Sequence, residues 1–190
     1  MGKIDKSILD KIKKGNASFR FIDQTGILAD GMFDEAHEIF TLEDTLDINQ
    51  GEPTKTDTKL DQMSTSVLTT YESGEFMIAG TIPSMAKVLL DEFFTTKGEP
   101  VSLATGVSGT NGVKYKVASG YSLTAKQKKA TVMIESEDRS VAIVFMNVSM
   151  TATFKWGSVK TEPMGIALSG EVLQNLTDNA DDFYILEVGA

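Results

Sequence analysis

The stretch VAIVFMNVSMTATFKW, Val141–Trp156, decides the fold. Every even position is apolar: Ala142, Val144, Met146, Val148, Met150, Ala152, Phe154 and Trp156. A period of two held this long is the mark of a strand with a buried face. The odd positions change character partway. Val141, Ile143 and Phe145 are apolar, whereas Asn147, Ser149, Thr151, Thr153 and Lys155 are polar. The first third therefore reads as buried on both faces and the rest on one. Such a strand is roughly 50 Å long at its usual rise, in a chain whose folded diameter is about 40 Å. It must bend, span the domain or project. A projecting strand carries a free edge that another chain should cover.

The flanking sequence supplies its neighbours. Ala130–Glu135 reads as a strand, and Glu137-Asp138-Arg139 turns it into the long one as an antiparallel hairpin. Upstream, Ala17–Asp23 alternates around Phe19 and Phe21. Glu75–Ile82 places Phe76, Ile78 and Ile82 on one side. Pro83 and Ser84 then open a helix, Ser84–Phe94, with Ala86, Leu89, Leu90, Phe93 and Phe94 on one face. Val113, Tyr115 and Val117 alternate with Lys114 and Lys116, as suits an edge strand. Met32–Phe40 leans to a strand, and Met164–Leu173 and Asp182–Val188 are the last two. About nine strands and one body helix follow. The expected class is mainly β: an antiparallel β-sandwich or partly closed barrel with one packed α-helix and a short N-terminal helical arm.

Two segments stand apart. Residues 1–16 form the arm: Ile4, Ile8, Leu9 and Ile12 fall on one helical face among lysines, and Gly15 and Asn16 end it. The rest, 17–190, reads as one β domain. Within it, residues 41–62 are polar, with Glu43, Asp44, Asp47, Glu52, Asp57 and Asp61 around Gly51-Glu52-Pro53. A connection this long inside a compact domain is functional or mobile, and it reads as a segment that orders against a partner.

Composition narrows the function classes. In 190 residues the net charge is −9 and there is no cysteine. So acidic a chain is a poor gripper of phosphates. Disulfides, thiolate zinc sites and cysteine nucleophiles are excluded. No apolar run is long enough for a membrane span, and the N-terminus has no apolar core of a secretory signal. His37 is the only histidine and has no local ligand partner. Ala104–Gly112 is glycine-rich but lacks the Lys-Ser/Thr of a phosphate loop and leads into no helix, so it reads as a hairpin connection. Asp47–Gly51 departs from a calcium loop in its glycine position and lacks the closing Glu. No catalytic, cofactor or metal residue is expected, and the chain reads as a non-enzyme.

Thr56–Gln62, TDTKLDQ, and Glu72–Phe94, ESGEFMIAGTIPSMAKVLLDEFF, resemble tail tube proteins of long-tailed bacteriophages. Those run a polar loop, a strand of glycine–acidic–aromatic–apolar form followed by G-T-x-P, and then a single helix. The family is similar in fold to the tube protein of type VI secretion. The resemblance implies a structural virion protein made in the bacterial cytoplasm. Its copies would close into hexameric rings and stack into a tube. DNA would pass through without specific binding, and other tail proteins would be neighbours. The hairpin residues Met146, Asn147, Val148, Ser149, Met150, Thr151, Phe154 and Trp156 are then the expected self-assembly element. Asn147, Ser149, Thr151 and Thr153 would form its wet face. Asp44, Asp47, Glu52 and Asp57 would make the ring-to-ring contact. Two rival readings are a β-sandwich binding or adhesion module, for instance for carbohydrate, and another virion component such as a tail terminator or baseplate adaptor.

Overall fold

A computed structural model describes residues 16–34, 36–42, 44–59, 66–96, 98–156 and 163–188. The expected arm, residues 1–16, lies outside these apart from Asn16, as do Glu43, Asp61 and Gln62 of the polar stretch.

The chain is mainly β, with antiparallel sheets and, among the described residues, one α-helix. Fourteen strands are present among the described residues: β1 (Asn16–Asp23), β2 (His37–Ile39), β3 (Asp47–Gln50), β4 (Thr54–Lys59), β5 (Ser66–Glu72), β6 (Phe76–Ile82), β7 (Phe94–Thr96), β8 (Val101–Ser108), β9 (Lys114–Ala118), β10 (Tyr121–Ala125), β11 (Lys128–Ser136), β12 (Val141–Lys155), β13 (Gly165–Val172) and β14 (Phe183–Glu187). Helix α1 is Lys87–Phe93. The main sheet runs β2-β1-β11-β12-β13-β6-β3, with β14 also on β12. Three pairs stand as separate two-stranded sheets: β7 with β10, β4 with β5, and β8 with β9.

The long strand is present as read, but its surroundings differ from expectation in two ways. First, it has no free flank over most of its length. One edge pairs with β11 from Ala142 to Met150. The other pairs with β14 over Val141–Phe145 and with β13 over Val148–Lys155. The domain accommodates the strand by placing it at the centre of the sheet, so the projecting ribbon inferred from its length is corrected. Second, the even positions do not share one face. Ala130 pairs with Val148 while Val132 pairs with Phe145, so Thr131 alone faces Met146 and Asn147. This is a β-bulge, and the extra residue turns the strand over. Before it, Ile143 and Phe145 enter the main core while Val144 and Met146 join a smaller cluster with Phe33 and Met133. After it, Val148, Met150 and Ala152 take over the main-core face. The switch from two-sided to one-sided apolarity along the odd positions was the trace of this bulge.

The main core lies under α1. Phe93 is fully buried, with its ring centroid 5.5 Å from that of Phe21. Burying a side chain of this size contributes about 1.5–3 kcal/mol. The helix is shorter than expected because Ala86 is extended at its N-terminus and the preceding residues turn, the Ser84 N–H donating to the Ile82 carbonyl at 2.8 Å; Ser84 Oγ accepts from the Ala86 N–H at 3.2 Å. It ends at Phe93 because Phe94-Thr95-Thr96, β-favouring residues, continue as β7. Polar clips fasten the helix. Tyr121 Oη donates to Asp91 Oδ1 at 3.2 Å, and Lys126 Nζ donates to the Asp91 carbonyl at 3.1 Å. Lys128 bonds Glu92 and stands 4.9 Å over the Phe21 ring.

Candidate assembly surfaces

The polar stretch expected as a loop is partly strand. DINQ pairs with β6 as β3, and TKTDTK pairs with β5 as β4. The strands lack apolar periodicity; the β preference of its threonines could have shown β4, and β3 carries no such signal. The β4–β5 hairpin leaves the body through a tight neck. The Gly51 N–H donates to the Glu75 carbonyl at 2.8 Å, and a Cβ on Gly74 would lie 2.0 Å from the Gly51 oxygen. On the hairpin, Asp57 accepts from Thr69 Oγ1 at 2.6 Å and from Lys55 Nζ at 2.9 Å, while Leu68 and Tyr71 are exposed.

The β8–β9 hairpin is the more apolar of the two. Val107 pairs with Tyr115 and Ser102 with Val117, leaving a bulge in β8 that contains Gly106 at φ +72°. That left-handed conformation suits glycine. Alternate residues Val113, Tyr115 and Val117 share one face, joined by Val107 across the ladder. All four are exposed, from 51% at Val113 to 66% at Val117. Lys114 and Lys116 occupy the opposite face, and residues 101–120 hold no carboxylate side chain. Neither hairpin pairs with a strand of the main sheet among the described residues.

The residues expected to drive assembly divide sharply. Met146, Val148 and Met150 are buried in the core of the single chain. Asn147 and Ser149, expected on a wet wall, are also buried; this corrects that expectation. Asn147 Nδ2 donates to the Gln174 carbonyl at 2.8 Å, at the place where β13 leaves β12 and before β14 arrives. Ser149 accepts from Gln127 Nε2. Thr151 is half-buried and donates to the Ser169 carbonyl at 3.4 Å, while Thr153 is exposed. Phe154 stacks on Phe94 at 4.2 Å with planes 10° apart and keeps its outer side exposed. Trp156, just past the strand, is 72% exposed. Asp44, Asp47, Glu52 and Asp57 are all at the surface. Asp44 sits in a turn at φ +58°, Asp47 begins β3, and Asp57 lies on β4. The structure therefore spreads these four over a turn, a main-sheet strand and the separate hairpin.

No protein-family model matches this sequence, and comparison with curated proteins finds no match. The surfaces must be read from their own chemistry. Among the described residues, no group of three or more His, Cys, Asp or Glu side chains is placed to hold a metal ion. No described helix is long and apolar enough to cross a membrane. A further apolar surface escaped the sequence reading: Phe183 and Ile185 of β14 are exposed, at alternate positions on one face. Their alternation with Tyr184 and Leu186, which pack on the smaller cluster, was the available signal.

Proposed function

We propose that this chain is a structural subunit that assembles with copies of itself, and that the assembly is a bacteriophage tail tube. The observation that carries the proposal is the β8–β9 hairpin. A two-stranded ribbon is at best marginally stable alone in water. This one also displays a stripe of Val107, Val113, Tyr115 and Val117 with no strand of the body beside it. Free ladder edges with an apolar face are a template for another chain. The β4–β5 hairpin also pairs with no main-sheet strand among the described residues and exposes one apolar side chain on each face, Leu68 and Tyr71. Two such arms on one body favour head-to-tail contacts, which generate rings or filaments.

The tube itself comes from the resemblance of residues 56–62 and 72–94, whose described part forms β4, the end of β5, β6 and α1. On this reading the two hairpins, rather than the long strand, join neighbouring copies around a hexameric ring. The acidic surface residues Asp44, Asp47, Glu52 and Asp57 contribute to stacking between rings. An acidic chain lets DNA pass without holding it. The subunit belongs to the virion tail, where other tail proteins meet the tube ends.

Negative-stain microscopy of the purified protein at high concentration tests this. Rings or tubes are expected. The triple variant Val113→Ser, Tyr115→Ser, Val117→Ser should stay folded and monomeric. A wild-type chain that remains strictly monomeric, or that binds glycans as a monomer, would reverse the reading toward a binding module.

A further inference from the structure

β14 is a short edge strand. Among the described strands it pairs with β12 alone, and Phe183 and Ile185 project from one of its faces, 48% and 62% exposed. That face continues the main core. Phe183 lies opposite Phe145, with ring centroids 6.2 Å apart, and Ile185 lies opposite Ile143. The core face therefore runs out to the rim of the sheet and stops there uncovered. The other face of β14 is different. Tyr184 and Leu186 pack on the smaller cluster, and Leu186 borders a recess lined by Asp30 and Asp34 of the loop after β1.

The β8–β9 hairpin carries the complement of this edge. β9 and β14 are both five residues long. Val113, Tyr115 and Val117 take one face of the hairpin, and Lys114 and Lys116 take the other. Let the outer edge of β9 lie beside that of β14, in either direction, with Tyr115 on the side of Phe183 and Ile185. One continuous apolar face results, because side chains alternate with a period of two. The same pleat fixes the lysines. Both come to the side of Leu186, where Asp30 and Asp34 are exposed. Among the described residues none of these four charges has an ion pair within its own chain. The junction supplies each with its opposite. Other occupants match less well. A second β14 would set an acidic segment against itself: residues 171–187 hold Glu171, Asp178, Asp181, Asp182 and Glu187 and no lysine or arginine. The β4–β5 hairpin has its two exposed apolar side chains on opposite faces and so presents no stripe.

We propose that β9 of one copy adds to the β14 edge of the next, with Val113, Tyr115 and Val117 beside Phe183 and Ile185, and Lys114 and Lys116 toward Asp30 and Asp34. The proposal rests on the self-assembly reading and names the surface that receives the hairpin. The joint is head-to-tail, since its two halves are different parts of the chain.

Two disabled full-length chains test it. One carries Val113→Ser, Tyr115→Ser and Val117→Ser and keeps its β14 face. The other carries Phe183→Ser and Ile185→Ser and keeps its hairpin. With circular dichroism matching wild type, each alone should sediment as a monomer. Mixed, they should form a one-to-one complex and nothing larger. Adding Lys114→Glu and Lys116→Glu to the second chain should weaken that complex roughly tenfold or more, and adding Asp30→Lys and Asp34→Lys to the first should restore the affinity to within about threefold. Recovery also shows that the charge-reversed chains are folded. If wild type forms rings or tubes, three results overturn this joint alone: no complex on mixing, a Phe183→Ser, Ile185→Ser chain that still assembles, or a charge reversal that is not recovered. A wild type that stays monomeric at the same concentration overturns the assembly reading, and the joint with it.

Discussion

Thr131 and Met146 are joined across the bulge of the central strand: the threonine hydroxyl donates to the methionine carbonyl at 3.0 Å. Thr131 is fully buried, and its oxygen also accepts from the Thr25 N–H at 3.3 Å. One hydroxyl thus serves a carbonyl at the disrupted ladder and an N–H of the loop that follows β1. Thr131→Val keeps the shape and removes both bonds. A loss of about 1–3 kcal/mol is expected in urea unfolding, because buried groups are left unsatisfied. Thr131→Ser, which keeps the hydroxyl, should lose clearly less.

Phe154 and Met150 occupy alternate positions on one strand but answer different questions. Met150 is 2% exposed, so Met150→Asp places a charge in the core and should unfold the chain. Phe154 stacks on Phe94 at the surface end of the strand. Phe154→Ala should remove the ring pair, worth about 0.5–1.5 kcal/mol beyond the area it buries, and leave a folded protein. Thermal unfolding of the two variants separates core from surface; a stably folded Met150→Asp protein would contradict the burial.

Gly74→Ala probes the neck of the β4–β5 hairpin. The new methyl meets backbone, not a movable side chain, at 2.0 Å. The hairpin must therefore swing or its first hydrogen bond must break. Amide exchange should rise at Gly51 and Glu75 by tenfold or more, with the β11–β12 amides unchanged. Loss of ring formation in a folded Gly74→Ala protein would assign the hairpin a part in assembly.

Tyr121 gives a pH dependence. Its burial, then the neighbouring Asp91 carboxylate, raise the phenol's pKa above the ordinary value. The fold holds that proton more tightly than the unfolded chain does. Its stabilising contribution is intact below about pH 10, the unfolded value, and is lost as pH rises through the raised folded value. Melting temperatures of wild type and Tyr121→Phe should therefore converge as the buffer becomes more alkaline. A gap that widens would show the opposite linkage.

Much of the fold was legible because burial writes itself as periodicity. β1, β6, β11, β12 and β13 carry buried faces, and all were readable as strands, β1, β6 and β12 from alternation and β11 as a short, continuously apolar run. The helix was found through Leu90 and Phe93, although Ser84 opened it too early on paper. What escaped was of two kinds. Strands such as TKTDTK and DINQ bury almost nothing, so their positions follow from ladder bonds rather than from apolar pattern. The bulge at Met146–Asn147 left its trace in the odd positions, but the unbroken apolar run of even positions reads as one continuous face across it. The same run made Asn147 and Ser149 look solvent-facing. Of the candidate surfaces, the Val113–Tyr115–Val117 alternation was visible, but the absence of a supporting sheet beneath it was a matter of tertiary placement.

β1 is made early and, although β2 follows it closely, finds its other main-sheet partner, β11, late. Phe19 pairs with Ile134, more than a hundred residues downstream. At ribosomal speeds of roughly 5–20 residues per second, the N-terminal strand waits on the order of ten seconds before its neighbour exists. During that interval Phe19 and Phe21 have β2 beside them but not the β11 strand that completes their side of the sheet. Biogenesis of this protein is thus exposed to misassociation on the ribosome, and the yield of soluble chain should fall when translation is slowed and rise when a holdase is supplied.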